Sequence, residues 1–372
     1  MREGPAAPRA LRPADLDDLR AVAEAVGVLR LGAASLSDPR LRAAAEAFDR
    51  FLDEGRHGTM AFLARSRPAR RDVDLVLPGA RSALVGVVPY DGRPDPVARY
   101  AQHADYHTVL HERFGAVVDR LRARVPGVEA RVCVDTKPVM ERALAAVAGV
   151  GRLGKSGMLI VPGLGTYVVI GVVLTTAPWE ERSGSNEEPR DAFAVCGRCT
   201  ACLDACPTGA FDGPGRLDAR RCIAYLTIEH RGVVDPGLAG RVGARVAGCD
   251  VCQGVCPHNR GPDRVERIPA HAKLPPPAGG PRLVGSPEAL EALARVGSAR
   301  YRRFVRGTAL RRIPRASLRR NALLALAAMD GAGERFARTA EAVAAETDDP
   351  GLLCAIQTGR AIVHRRAREG CA

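Results

Sequence analysis

Cys196-Gly-Arg-Cys199-Thr-Ala-Cys202-Leu-Asp-Ala-Cys206-Pro207 places four thiols with two, two and three residues between them. A second run, Cys249-Asp-Val-Cys252-Gln-Gly-Val-Cys256-Pro257, adds three more, and Cys222 lies between the runs. Eight thiols make two sets of four, and a [4Fe–4S] cube takes one thiolate per iron. Cysteines two residues apart wrap one cube, whereas the fourth in such a run is turned by the proline bend towards the other. Cluster one is then Cys196, Cys199, Cys202 and Cys256. Cluster two is Cys206, Cys249, Cys252 and, by elimination, Cys222. The alternatives are a zinc site or a disulfide framework. Zinc favours paired C-x2-C units, often with histidine, and needs no Cys-Pro endings. Cys133, Cys354 and Cys371 stand alone and read as buried or free thiols. The chemistry implied is one-electron transfer, and an acceptor is needed.

The elements around this wiring follow from hydrophobic periodicity. Residues 1–180 alternate helix and strand. Helices are expected over Pro13–Val26, Leu41–Glu54, Tyr106–Arg124 and Pro138–Val147. Strands are expected over Val28–Leu31, Ser82–Val88, Ala130–Val134, Met158–Val161 and Tyr167–Thr175. That order implies an α/β sandwich. A polar linker follows over 181–195, then the cysteine region to about Arg260. A Pro/Gly-rich connector covers His271–Gly285. Beyond it, a helix capped by Ser286 and helices over Ser317–Met329, Glu334–Glu346 and Leu352–Arg368 suggest a HEAT-like module. The fold class is α+β multidomain: an α/β domain (1–185), a two-cluster domain (186–265) and a helical domain (283–372).

The chain has 372 residues and a net charge of +13, with 52 Arg against 3 Lys. Coding bias explains arginine over lysine but not the excess of base over acid. Eight arginines and no acid lie between Tyr301 and Arg320, which suggests a polyanionic partner such as a nucleic acid. The N-terminus lacks an apolar signal segment, and no apolar run reaches the ~20 residues that span a bilayer. A cytoplasmic protein with no membrane partner, acting as a monomer, is expected.

Gly149-Val-Gly151-Arg-Leu-Gly154 fits G-x-G-x-x-G but follows a helix and precedes a strand, the reverse of a dinucleotide loop. A glycine turn beside a large flat cofactor is the better reading.

The cysteine region is similar to bacterial two-cluster ferredoxins. The wider chain resembles the epoxyqueuosine reductases of the QueG type, on a dispersed set of motifs. These are Asp135-Thr-Lys-Pro-Val-Met-Glu-Arg-Ala-Leu, Ala148-Gly-Val-Gly-Arg-Leu-Gly-Lys155-Ser, His57-Gly58-x-Met60 and Arg99-Tyr100-Ala101. Asp105-Tyr106-His107, Arg221-Cys222-Ile223-Ala224-Tyr225, Gly248-Cys249-Asp250 and Ala309-Leu310-Arg311-Arg312 complete it. The resemblance implies a base-off cobalamin between the α/β and two-cluster domains, and a helical domain for tRNA. The reaction would remove the epoxide oxygen of epoxyqueuosine in tRNA, giving queuosine, with electrons from an external low-potential donor. Asp135 would be the proton donor, with a carboxyl pKa raised by burial; alternatively it caps the helix expected at Pro138. Cobalamin contacts would come from Arg65, Asp135, Leu159, Ile170, Ala224, Tyr225, Cys249 and Asp250. Lys155 would meet substrate or cofactor, and Arg311, Arg312 and Arg319 the tRNA. The chain has Arg152 and His258 where the family commonly has Trp, and Thr136 where it has Ser. Other readings are a cobalamin-dependent reductive dehalogenase, a plain electron carrier, and a nucleic-acid-binding protein with structural clusters.

Overall fold

The computed structural model of the protein describes residues 8–180, 192–260 and 268–369. Most of the linker expected over 181–195, and Cys371, lie outside the described residues. Six strands are described: β1 (Leu29–Ser35), β2 (Ser82–Pro89), β3 (Ala130–Cys133), β4 (Arg152–Leu153), β5 (Leu159–Ile160) and β6 (Val168–Thr175). Four form one sheet in the order β1-β2-β6-β3, and β4 and β5 form a separate ribbon. Every ladder between these strands is antiparallel, although helices alternate with the strands along the chain.

The apolar run of β2 is buried along its whole length, as a strand covered on both faces must be. Gly86 of β2 faces Gly171 of β6 across the ladder. A Cβ at Gly171 would lie 2.2 Å from the Phe114 ring, and one at Gly86 would lie 2.5 Å from Val28. This glycine pair makes a seat for Phe114, which is fully buried on the Tyr106–Arg124 helix. The seat fixes the rotation of that helix, and with it the direction in which Tyr106 and His107 leave the first turn.

The helix expected from Pro138 begins at Glu141 instead, because residues 137–139 are held in a tight turn by the Val139 N–H on the Lys137 carbonyl. The C-terminal helices are Pro287–Ala294, Ser298–Val305, Arg315–Ala327, Gly333–Ala344 and Pro350–Glu369. The Arg315–Ala327 helix is buried at every position from Ser317 to Ala327, so the others wrap it. One hydrophobic core runs from Ile223, Leu226 and Val246 of the cysteine region into Leu318, Leu323 and Phe336 of these helices. Two further cores lie at the sheet.

The arginine-rich run does not form a single face. Arg302, Arg303, Arg306, Arg311 and Arg312 are exposed, but Arg319 and Arg320 turn inward. Arg319, expected at an RNA surface, donates through Nε to the Ala294 carbonyl at 2.7 Å within the helical module. Arg320 is 2 % exposed and caps the carbonyls of Leu226 (2.7 Å) and Gly232 (2.6 Å). Both are helix-packing residues, spent on backbone oxygens that would otherwise be buried unsatisfied. No helix among the described residues is long and apolar enough to cross a membrane.

Candidate active site

None of the ten described cysteines is joined in a disulfide, which removes the disulfide framework for them. Among the described residues no group of three or more His, Cys, Asp or Glu gathers to hold a single metal ion. Two of the thiols feel neighbours drawn from the sets expected. Burial, then Cys196, Cys256 and Cys199, raises the Cys202 thiol. Burial, then Cys249, Cys222, Cys202 and Cys206, pushes Cys252 up to about 12. Each of these two thiols is crowded by its own three expected partners, and the influence of Cys202 on Cys252 shows that the sets adjoin. Crowded thiols ionise only when a cationic cluster repays their mutual repulsion, so these residues fit two [4Fe–4S] groups.

Cys199 is exposed, whereas Cys222 and Cys252 are not. Lys155 belongs to the first thiol set. Its N–H donates to Cys196 Sγ at 3.4 Å, and its Nζ donates to the carbonyls of Gly197 (2.7 Å) and Cys199 (3.0 Å). It thus ties the cysteine loop to the α/β part instead of pointing an unbound amine at substrate. His258 contacts the Val195 carbonyl at 3.2 Å beside the same loop.

Cys222 is the N-cap of the Ile223–Ile228 helix. Tyr225 on that helix accepts from the Thr59 N–H at 2.9 Å. Gly58 has φ +57, and a Cβ there would lie 2.5 Å from the Tyr225 hydroxyl. The His57-Gly58-x-Met60 motif is therefore the grip of the α/β part on the second thiol set. Asp250 likewise accepts from the Arg99 N–H at 2.8 Å, and the Arg99 guanidinium lies 4.6 Å over Tyr167. From the helical side, Asn321 donates to the carbonyls of Thr227 (2.7 Å) and Val246 (2.8 Å). Thr227 in turn accepts from the Gly248 N–H at 2.9 Å. The chain segments that present Cys222 and Cys249 are thereby fastened to each other and to the Arg315–Ala327 helix.

Asp135 lies just beyond β3 with φ +46, a left-handed backbone that Asp tolerates better than most side chains. It does not cap the next helix. Instead Glu141 reaches back and accepts the Asp135 N–H at 2.5 Å. Asp105 caps the Tyr106–Arg124 helix and holds His107 Nδ1 at 2.7 Å, which aims Nε2 at Asp135 Oδ2, 3.2 Å away. Tyr106 also lies beside Asp135 and favours its ionised form. The Asp135 side chain keeps 44 % of its surface open.

Burial pushes the Asp135 carboxyl up, but the hydrogen bond from His107, the charges of His107 and Arg312, and Tyr106 outweigh it and hold the carboxyl below its ordinary range. This reverses the expected raised value. The proton is found next door: burial opposes charge on His107, yet Asp105 and Asp135 together raise it to about 9. Glu141 is raised to about 7 by burial and by the charge of Asp135. A carboxylate flanked by two groups that bear protons near neutral pH is an acid site with a reserve.

The other expected contacts are scattered. Arg65 is exposed at the end of the Ala61–Arg65 helix, and Ala224 is half-buried two residues after Cys222. Leu159 is 3 % exposed in the core at the sheet, so its side chain is committed to packing. Val168 and Ile170 are half-buried where β6 enters the sheet, while Gly171–Thr175 are buried. His107, Glu141 and Arg312 lie within the motifs of the resemblance, but their convergence on Asp135 has no signal in the sequence.

A family model described as "Epoxyqueuosine reductase QueG, DUF1730" matches residues 70–136, and one described as "4Fe-4S double cluster binding domain" matches 195–259. An epoxyqueuosine reductase of Synechococcus sp. (strain CC9605) is 39% identical over 311 residues, covering 81% of this chain and 89% of that one. A crystal structure of selenomethionine-labelled epoxyqueuosine reductase is similar with a TM-score of 0.71 and 25% identity, over 93% of this chain and 98% of that one. A second, of epoxyqueuosine reductase with a tRNA-Tyr epoxyqueuosine-modified stem loop, gives 0.69 and 25% over 94% and 98%.

Proposed function

Because the chain belongs to the epoxyqueuosine reductase family, we propose that it reduces epoxyqueuosine in tRNA to queuosine, with Asp135 as the residue that delivers a proton to the departing oxygen. The observation that carries this is the Asp135 carboxylate, held at 3.2 Å by a histidine that keeps its proton to about pH 9. Opening an epoxide to an alkene takes two electrons and two protons and releases water. Two clusters and a cobalamin, when bound, supply the electrons singly at a strongly reducing cobalt.

The residues fit such groups. Cys196, Cys199, Cys202 and Cys256 would hold one cluster, and Cys206, Cys222, Cys249 and Cys252 the other. The half-buried Val168 and Ile170 on one side, and Ala224 beside Cys222 on the other, leave apolar surface that a corrin would cover. Arg65, Tyr225 and Asp250 complete the expected contacts. The helix from Cys222 ends beside Glu229, which pairs with Arg312 next to Asp135. At ~1.5 Å per residue, Cys222 and Glu229 are roughly 10 Å apart along this helix, and Arg312 spans the remaining gap from Glu229 to Asp135. Electrons would enter from an external donor at cluster one, where Cys199 is exposed.

What the protein itself does in the step is positional and protonic. Asp105 fixes the orientation of the His107 ring and Glu141 pins the Asp135 backbone. Asp135 is ionised at rest and His107 bears the proton, so the proton passes from His107 through Asp135 to the departing oxygen.

The test is anaerobic turnover of cluster-reconstituted protein with cobalamin, a strong reductant and epoxyqueuosine-containing tRNA, with nucleosides read by mass spectrometry. Cobalamin-dependent loss of one oxygen mass is expected; bound cobalamin with no such loss overturns the reading. The exposed arginines bear on the RNA. Replacing Arg302, Arg303 and Arg311 with Ala is expected to weaken tRNA binding and to flatten its log–log salt dependence, by about 0.7–0.9 for each phosphate no longer neutralised. An unchanged slope in a filter-binding titration would remove this surface.

A further inference from the structure

Arg312 lies in the short turn Ala309–Arg312, which connects two helices of the C-terminal module. Its guanidinium nevertheless serves the other two parts of the molecule. Nε donates to the Glu229 carboxylate, at the end of the helix that starts from Cys222. The planar face lies 5.1 Å over the Phe62 ring of the α/β part. Nη1 stands 3.9 Å from Asp135 Oδ2. Arg312 keeps 37 % of its side-chain surface open, and its neighbour Arg311 is exposed without these contacts.

An arginine whose purpose is RNA binding has no need of a carboxylate on one edge and an aromatic ring on its face. These contacts engage its Nε donor and fix its plane, which is how a planar fork is preorganised. Glu229 and Phe62 hold the guanidinium, and the guanidinium holds the carboxylate that His107 also holds. We propose that Arg312 is a positioning residue of the reductase site: it steadies Asp135 from the RNA-facing module, so that the acid is aligned by the same turn that carries Arg311 towards the RNA. The inference rests on the reductase reading given above.

The charged and titratable groups at this point come from every packed element. Asp105, Tyr106 and His107 come from one helix and its cap, Tyr100 from the turn before it, Asp135 from the turn after β3, and Glu141 and Arg142 from the helix that follows. Glu229 comes from the cluster-two helix, Arg70 from the Arg67–Arg71 helix, and Arg311 and Arg312 from the helical module. Removing the Arg312 cation leaves the His107–Asp135 pair with more net negative charge around it, so the pair holds its proton to higher pH.

The experiment compares Arg312→Ala, Arg312→Lys and Arg311→Ala in the reconstituted enzyme. Arg312→Ala is expected to lower kcat about 10- to 100-fold with tRNA Kd within about twofold of the parent. Arg312→Lys should restore part of kcat, and Arg311→Ala should act on Kd. A histidine NMR titration without tRNA gives a readout free of turnover: the His107 pKa rises above its value in the parent when Arg312 is Ala. Weakened tRNA binding with kcat and the His107 titration unmoved would make Arg312 an ordinary RNA contact and overturn the proposal. An inactive parent with a shifted His107 titration would instead overturn the reductase reading and leave the bridge standing.

Discussion

Asp135→Asn is expected to retain both clusters and cobalamin and to lose turnover by about two to four orders of magnitude, the usual contribution of a positioned acid. Asn is the apt replacement because it tolerates the left-handed backbone at φ +46 and leaves the Glu141 contact to the main chain intact. Loss of rate would then report the missing proton and not a collapsed turn. The check is single-turnover oxygen loss by mass spectrometry, beside visible spectra for cluster and cobalamin content; undiminished turnover would remove Asp135 as the donor. The pH dependence follows from the pair. His107 is raised above the ordinary histidine value of ~6.5, so its interaction with Asp105 and Asp135 is fully present below that pH and is lost as pH rises through about 9. Turnover limited by proton delivery should therefore be flat through neutrality and fall above about 9, and His107→Gln should abolish that limb. A limb that persisted in His107→Gln would assign it to another group.

The second large effect is expected far from the acid. Asn321→Leu removes the two donors that join the Thr227 and Val246 carbonyls, and leaves both oxygens buried without partners. Each such orphan costs about 1–3 kcal/mol. Because Val246 leads directly to Cys249, and Thr227 lies on the helix from Cys222, the damage falls on cluster two. Iron per chain should drop towards half while the first cluster's EPR signal persists. Arg319→Met is the control: it lies on the same helix but bonds only within the helical module, so it should lower the melting temperature without altering cluster stoichiometry. Equal depletion of both clusters in Asn321→Leu would mean that the two thiol sets assemble as one unit and that the fastening is general.

The parts of this arrangement that are legible in the sequence are those encoded locally. Cysteine spacing records a wrapping geometry within a dozen or so residues, and the helices over 13–25, 39–53 and 106–124 are written in periodicity and capping. What is not legible depends on contacts between distant segments. The eight arginines from 302 to 320 look like one basic face, yet burial of the Arg315–Ala327 helix from Ser317 onward sends Arg319 and Arg320 inward, since a helix wrapped on all sides has no outer face. Lys155 looks available when only its own loop is in view; the carbonyls that bind it belong to residues some forty positions on. The raised Asp135 pKa that burial alone implies is reversed for the same reason. Burial is inferable from a strand end, but the opposing histidine arrives from a helix that the glycine seat at Gly86 and Gly171 rotates into place.

The continuous core that joins Ile223 and Val246 to Leu318 and Phe336 limits how this protein can be altered over evolutionary time or by hand. A recognition module hung on a linker can be exchanged as a cassette, and new RNA targets then arise by recombination. Here the interior of the module is also the interior of the metal-binding segment, so a graft would cut through shared side chains. On the function proposed above, divergence in RNA preference would be left to point changes on the outside, at positions such as Arg302, Arg303 and Arg311. Close relatives should accordingly differ most in those exposed side chains and least along the buried helix beneath them.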